Sequence, residues 1–469
     1  MPVGDVLPEI AVLVTAVTGL LLASFVPQRW QWLGAPLALI GLALAGVLCA
    51  TQWSGPPRLT FSGTWALDGA SIGARLIILA STAVAVLLAP EWFRHERRHG
   101  EYYTMLLLSA LGAMAMAGAA DTLQLVMGVL LSSVTGYTLA AWHRDWALSV
   151  EAGMKYFLIG AFANTLLMLG VALLFGLLGS TGYADMAAAL THASASPLLL
   201  LALVMVVIGV AFELGAVPVH TWLPDVAEGA PAPAAAFLTV VPKIGAALAL
   251  ARLLHVFPAD VIGWRPLLAA MAVATMTLGN LAALWQTDVR RLLGWSSVSQ
   301  AGYALMAVTV IGLSEEALPA LLFFLAGYAV ANLAAFAAIT QLRGRTELAH
   351  YRGLASVRPW LAAVLTLSLL SLAGIPPLAG FVGKLTLFLA TVDAGYTWLA
   401  VVAIANTAVS LFYYLRVLAT MYFNAADAPV ATLGRCAGGG VWLTGVAIVV
   451  IGLAAQALLG RWALATLLR

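Results

Sequence analysis

Charge is scarce in this sequence of 469 residues: Lys, Arg, Asp and Glu make up 9% of it, against 63% for hydrophobic side chains. A water-soluble domain carries about 25% charged residues, so this chain lacks the polar surface to face water on all sides. Its 22 basic and 20 acidic residues nearly cancel and form no basic run interleaved with aromatics, which excludes a nucleic-acid footprint. Cysteine is limited to Cys49 and Cys436, far apart and in no CxxC or haem-attachment spacing, so neither a disulfide framework nor a metal site is indicated. Lysine occurs only at Lys155, Lys243 and Lys384, and the remaining nineteen basic residues are arginines.

What is present is a succession of apolar stretches of about 20 residues, each long enough to cross roughly 30 Å of hydrocarbon as a helix. The reading is an all-α polytopic membrane protein with fourteen spans, at about 7–26, 34–51, 72–88, 102–118, 122–142, 153–178, 198–217 with a continuation to 224, 232–256, 266–285, 291–313, 317–342, 360–392 with an internal break, 399–424 and 439–459. The first span contains Pro8 and Glu9 and has no basic leader or small-residue cleavage site, so it reads as a retained helix and not a signal peptide. Loops after odd-numbered spans hold Arg29, Arg94, Arg97, Arg98, Arg144, Arg290, Arg291, Arg343, Arg345, Arg352, Arg358 and Arg435, while the other set holds little beyond Arg58 and Arg265. The positive-inside bias then makes the odd loops cytoplasmic and places both termini on the outer face.

None of the three lysines falls in a loop. A charge at mid-bilayer costs about 2.5–3.5 kcal/mol on insertion scales, so it needs a partner or a task. Lysine can shed its proton when desolvated and arginine cannot, so lysine in the membrane with arginine in the loops fits proton handling. The bland alternative is a sequence that uses arginine wherever charge alone matters and leaves a few packed lysines behind. Lys243 and Lys384 favour the functional reading, whereas Lys155, near the start of its span, fits either. Glu213 is the one acidic residue near the middle of a span and is a proton-relay candidate; its alternative is a neutral carboxyl satisfied by a carbonyl. His220, seven residues on, extends such a relay or simply packs beside Trp222.

Glycine and proline mark two breaks inside spans, Gly-Ala-Val-Pro at 215–218 in span seven and Gly-Ile-Pro-Pro at 374–377 in span twelve. Open backbone at membrane depth is tolerated only inside protein or beside a wet cavity, and paired breaks point to a transporter made of inverted repeats. The offsets agree, with 116 residues from Tyr102 to Pro218 and 113 from Gly263 to Pro376. Two five-helix repeats with broken helices 7 and 12 are the expectation; two ordinary proline kinks are the alternative.

Several motifs resemble one family. They are Met-Lys-Tyr-Phe-Leu-Ile-Gly-Ala-Phe at 154–162, His-Thr-Trp-Leu-Pro-Asp at 220–225, Gly-Ala-Pro-Ala-Pro at 229–233, Pro242-Lys243, the Arg-Arg-Leu-Leu-Gly-Trp-Ser-Ser run ending at Tyr303, Leu-Ala-Gly-Ile-Pro-Pro-Leu-Ala-Gly-Phe-Val-Gly-Lys at 372–384, and Tyr-Tyr-Leu-Arg-Val at 413–417. Over about 68–416 the chain resembles the antiporter-like membrane subunits of respiratory complex I, and in register the subunit N branch of bacterial NADH-quinone oxidoreductase. The resemblance implies fourteen helices divided into a three-helix segment (1–101), two antiporter-like repeats (102–262 and 263–424) and a C-terminal helix (425–469). It also implies a bacterial cytoplasmic membrane, other membrane-arm and hydrophilic subunits as partners, and a mid-membrane chain of ionisable groups coupling quinone reduction elsewhere to proton transfer. No redox centre is implied in this chain; quinone and NADH, or another donor, serve the assembled complex.

Carried over by position, Lys243 matches the family lysine of the eighth helix and Lys384 that of the twelfth. Two positions depart: Leu130 stands where the family has a fifth-helix glutamate, and Glu213 where it has a seventh-helix lysine. The family's charge pair is therefore lost as such. Either Glu213 now faces Lys243 in a shorter relay, or the first half no longer pumps and serves as a scaffold. An apolar residue at 213 would cost less than a buried glutamate if the role were gone, which favours a retained proton role. A Mrp-type cation/proton antiporter subunit and a membrane-bound hydrogenase subunit are the neighbouring alternatives, separable by the subunits that co-purify.

Overall fold

The computed structural model describes residues 2–94, 96, 99–192, 196–425 and 432–468. Arg97 and Arg98, counted above among the loop arginines, lie outside the described residues. The first three long helices are α1 (Leu7–Phe25), α2 (Gly34–Thr51) and α3 (Gly69–Trp92), followed by α4 (Gly100–Ala117), α5 (Thr122–Ala140) and α6 (Ala147–Leu178). Then come α7 (Pro197–Leu214), α8 (Trp222–Gly229), α9 (Ala232–Leu238), α10 (Val241–Val256), α11 (Trp264–Leu284), α12 (Val289–Thr309) and α13 (Ala317–Gln341). The chain closes with α14 (Pro359–Ala373), α15 (Ala379–Asp393), α16 (Thr397–Phe423), α17 (Arg435–Leu453) and the short α18 (Ala455–Trp462).

Among the described residues, 11 spans are long and apolar enough to cross a membrane, and the molecule is a mostly helical, multi-pass membrane protein. Helices α4 and α12 and the α14–α15 pair occupy positions expected for spans but fall outside that criterion. Burial separates centre from rim. The Ala232–Val256 window is 100% buried and that of Ala317–Gln341 94%, whereas Val3–Phe25 is 28% buried. The rim helices turn residues such as Phe162, Phe175, Phe412 and Trp442 outward, where hydrocarbon replaces water as their surroundings.

Each expected break is present and has a local cause. Helix α7 ends at Leu214 because Gly215 takes a left-handed conformation, with φ 65°, and α14 ends at Ala373 because Gly374 does the same, with φ 90°. Only glycine adopts this without steric cost, and the turn it makes is the common C-terminal helix stop. A side chain at Gly374 would also meet the stem of Lys384, its Cβ lying 3.2 Å from that residue's Cδ.

Two features differ from the sequence expectation. The span over 232–256 is not continuous: it is interrupted at Thr239 and Val240 between α9 and α10. Pro242 has no N–H to donate to the Leu238 carbonyl, and the Thr239 hydroxyl bonds back to the Ala235 and Ala236 carbonyls at 2.8 and 3.2 Å, competing with the helix ladder. The all-helical reading also omits a hairpin, β1 (Arg58–Thr60) paired antiparallel with β2 (Trp65–Leu67), whose three-residue strands are too short to show an alternating pattern.

One end of the bundle is tied by a buried ion pair. Asp68 caps α3 by accepting from the Ser71 N–H at 2.8 Å, and its carboxylate also accepts from both terminal nitrogens of Arg252 at 2.6 and 3.0 Å. The same pair holds Leu468, whose N–H donates to Asp68 at 2.9 Å and whose carbonyl accepts from Arg252 at 2.6 Å.

Candidate functional site

Glu213 lies in the last turn of α7 and is fully buried. Its two carboxyl oxygens meet consecutive serines of α5: Ser133 Oγ is 2.5 Å from Oε1 and Ser132 Oγ donates to Oε2 at 3.0 Å. Ser133 Oγ also lies 2.7 Å from the Val129 carbonyl, and a hydroxyl has one hydrogen for these two acceptors. Ser133 can therefore donate to only one of the two at a time. Leu130, half-buried, stands three residues before Ser133, so the carboxyl of α7 finds its partners one turn further along α5.

The expectation that Glu213 faces Lys243 is corrected by this geometry. No ion pair joins them among the described residues; the Glu213 carboxyl turns to α5, while Lys243 sits beyond the end of α7 and donates to the Leu214 carbonyl and to the Ser297 carbonyl of α12 at 3.1 Å. Glu213 and Leu214, whose carbonyl Lys243 uses, are thus adjacent residues at the end of α7. The physical reason is the break itself. Ending α7 leaves carbonyls with no helical donor, and the partial negative charge at a helix C-terminus attracts an ammonium group.

The second half repeats this device. Lys384 in α15 donates to the Leu372 and Ala373 carbonyls at the end of α14, at 2.9 and 3.4 Å, and its ammonium stands 4.7 Å from the centre of the Tyr303 ring. Lys243 and Lys384 are both buried, as their placement in the sequence requires.

Helix α12 runs between the two lysines and carries the polar groups that separate them. The Ser297 hydroxyl contacts the Tyr328 hydroxyl at 2.6 Å and donates to the Thr239 carbonyl at 3.2 Å, while Ser296 contacts the Tyr414 hydroxyl at 2.5 Å. Gln300 donates to the Leu372 carbonyl at 3.3 Å, the same oxygen that Lys384 uses. One turn on, Tyr303 places its ring against that lysine and its hydroxyl 2.9 Å from Thr407. Sequence reasoning quoted this serine-rich run as a motif without giving roles to its hydroxyls. The signal was available, since Ser, Ser, Ser and Gln within six residues are unusual in a helix otherwise surrounded by apolar neighbours. It also passed over Ser132 and Ser133, the polar pair that follows Leu130.

His220 and Lys155 are placed apart from this line. His220 is buried beside Trp295, with ring centres 5.8 Å apart, and its Nδ1 has no partner among the described residues; the Trp295 Nε1 and Ser299 Oγ of α12 are likewise unpaired. Buried polar atoms left in this way are where ordered water resides in proteins. Lys155 is partly exposed and bonds Glu151 at 2.6 Å and Asp225 at 3.1 Å. Asp225 and Glu228 also hold Arg291, at 2.6 and 2.7 Å, and Arg290 donates to the Ala227 and Ala230 carbonyls. Together these charges fasten α8, the second half of the broken helix, to α6 and α12.

Comparison with known proteins places the arrangement. A profile of the family described as NADH:quinone oxidoreductase/Mrp antiporter, transmembrane, matches residues 119–410. A protein named NADH-quinone oxidoreductase subunit N from Mycobacterium sp. (strain JLS) is 49% identical over 389 residues, covering 83% of this chain and 82% of its own. Among solved structures, a chain of respiratory complex I from Thermus thermophilus with bound aureothin superposes with a TM-score of 0.84 at 31% identity, covering 98% of this chain and 100% of its own. A chain of the Mrp complex from Dietzia sp. DQ12-45-1b reaches 0.85 at 21% identity, over 99% of this chain and 97% of its own, which is a likeness of fold. The chain belongs to the NADH-quinone oxidoreductase subunit N family of antiporter-like membrane subunits.

Proposed function

We propose that this chain is a proton-translocating membrane-arm subunit of a complex I-like NADH-quinone oxidoreductase, and that Glu213, Lys243 and Lys384 are the ionisable members of its relay. The observation that carries the reading is the repeated device: in each half a buried lysine donates to carbonyls freed by a broken helix, and α12 sets hydroxyls and an amide between them. A lysine held by neutral carbonyls, with no carboxylate among the described residues fixing its charge, is free to exist in either protonation state. Glu213 adds an acid on the far side of the first break, shuttling its proton through Ser133. His220 with its unpaired neighbours extends the line through water, and Lys155 acts at the edge by holding α8 in register.

The same reading takes the chain across the bilayer fourteen times, with α7–α8, α9–α10 and α14–α15 each forming one interrupted crossing. It divides the chain into 1–101, two repeats over 102–262 and 263–424, and 425–469, with both termini on the outer face of a bacterial cytoplasmic membrane as the arginine bias requires. Other membrane-arm subunits and the hydrophilic subunits that use NADH and quinone are its partners, and the driving chemistry is theirs. The identity of 31% to a complex I chain, against 21% to a Mrp chain, favours this assembly over a cation/proton antiporter. The absence of an ion pair at Glu213 favours one second reading, in which the first half is a scaffold.

Proton pumping by the assembled complex in sealed vesicles, with electron transfer followed in parallel, tests the proposal through Glu213→Gln. The amide keeps the shape and the hydrogen bonds but carries no exchangeable acid. Loss of pumping or of coupled turnover in an intact complex is the expected result; unchanged pumping and turnover would leave the first half as the scaffold.

A further inference from the structure

A groove away from the relay has the form of a lipid site. It is a cavity of ≈ 490 Å³ open to the side of the bundle, walled by α3, α13 and α17 with Ala50 of α2, and closed at one end by α18. Its floor is shallow in side chain, with Gly73, Ala80 and Ala329 among the lining residues, and its walls are apolar. The helices that wall it are long and apolar enough to cross a membrane, so the groove lies at hydrocarbon depth.

The closed end differs in chemistry. Arg461 is the one charged residue lining the groove, and among the described residues it makes no ion pair. Trp462 beside it is 8% exposed, with its indole Nε1 next to Gly73. The backbone that follows them is pinned to the start of α3: the Ala70 N–H donates to the Thr466 carbonyl at 3.3 Å and the Leu468 N–H to Asp68 at 2.9 Å. An exposed cation and an indole N–H at the level where a transmembrane helix begins, above an apolar slot, match the headgroup and acyl chain of one amphiphile. Basic residues at helix ends bind anionic headgroups in this way, and each buried methylene adds to the affinity.

We propose that this groove binds one anionic phospholipid, its phosphate on Arg461 and the Trp462 indole N–H and an acyl chain along Gly73, Ala80 and Ala329. A neutral lipid would leave the Arg461 charge without a partner, and a helix of another subunit would need to lie in a slot closed at one end by α18.

Native mass spectrometry tests this on the full chain in the assembly with which it purifies, stripped of lipid and titrated with phosphatidylglycerol or phosphatidylcholine. We expect phosphatidylglycerol to be retained in preference, Arg461→Glu to weaken it by roughly fivefold or more while Arg461→Lys keeps most of the preference, and Ala80→Trp, at an exposed position that fills the slot, to remove lipid of both kinds. Equal retention of the two lipids by the unaltered protein, or retention unchanged in both Arg461→Glu and Ala80→Trp, overturns the proposal. So does protection of an Ala80→Cys thiol from labelling by a neighbouring subunit in the delipidated assembly.

Discussion

The two halves of the molecule solve one problem with different materials. Around the second break, Lys384 has two carbonyls, a tyrosine ring and the Gln300 amide nearby, and among the described residues no acid pairs with it. Around the first, Lys243 has its carbonyls while a separate acid, Glu213, is turned away from it into a pair of serines. An ammonium at a broken helix end is therefore the shared element, and the acid is an addition of the first half. On the proposed reading, the first break has both an acid and a lysine beside it where the second has a lysine alone. The difference locates the departure from the family at α5 and α7 and leaves the lysine device intact.

The largest effect should come from removing that device. Lys243→Met and Lys384→Met are each expected to reduce coupled proton pumping by on the order of tenfold or more, about 1.4 kcal/mol in the limiting barrier, with the complex still assembled. Pumping in vesicles measures it, and a silent variant in either half would end the equivalence of the two lysines.

Restoring the family's pair is the next sharpest comparison. Glu213→Lys alone buries an uncompensated charge and should lower the yield of assembled complex, at a cost of about 2.5–3.5 kcal/mol. Adding Leu130→Glu supplies the counter-charge from α5 and should recover assembly and pumping. A double variant no better than the single one would show that α5 and α7 no longer present these positions to each other.

Smaller effects should follow from the hydroxyls. Ser133→Ala removes one partner of a buried carboxyl and is expected to cost about 1–3 kcal/mol, read as a lowered unfolding temperature of the complex and slower pumping, whereas Ser132→Ala should fall at the low end of that range because Oε1 keeps its contact. Tyr303→Phe retains the ring against Lys384 and loses the hydroxyl contacts with Thr407 and with the Ala403 carbonyl, about 0.5–1.5 kcal/mol each, so pumping should stay close to its original rate. A large loss in Tyr303→Phe would mean that the hydroxyl, not the ring, matters to the second half.

Much of the architecture was legible in the sequence because hydrocarbon imposes so few solutions: apolar runs must be helices, and glycine followed by proline must stop them. The breaks at Gly215 and Gly374 and the burial of Lys243 and Lys384 follow from that rule. The interruption at Thr239 was not legible, since a single threonine bonding back to its own helix looks like any other residue until its neighbours are placed. The partner of Glu213 was missed for a related reason. Serines are common in membrane helices, where their hydroxyls usually bond to the preceding turn, and only three-dimensional proximity shows that Ser133 does this and meets Glu213 as well. Arg252 and Asp68 lie 184 residues apart, beyond the reach of any local pattern.

The Asp68 cluster also bears on how the protein is made. Three segments emerge from the ribosome at widely separated times: α3 with its cap early, Arg252 much later, and Leu468 with 400 residues between it and the aspartate it joins. Until Arg252 arrives, the carboxylate that starts α3 is without its cation, and until Leu468 arrives the end of the bundle lacks its tie. Insertion of the early helices can therefore proceed one by one, but this tie closes only after Leu468 has left the exit tunnel. A chain cut just before Leu468 would keep the described transmembrane helices and leave Asp68 and Arg252 without that tie.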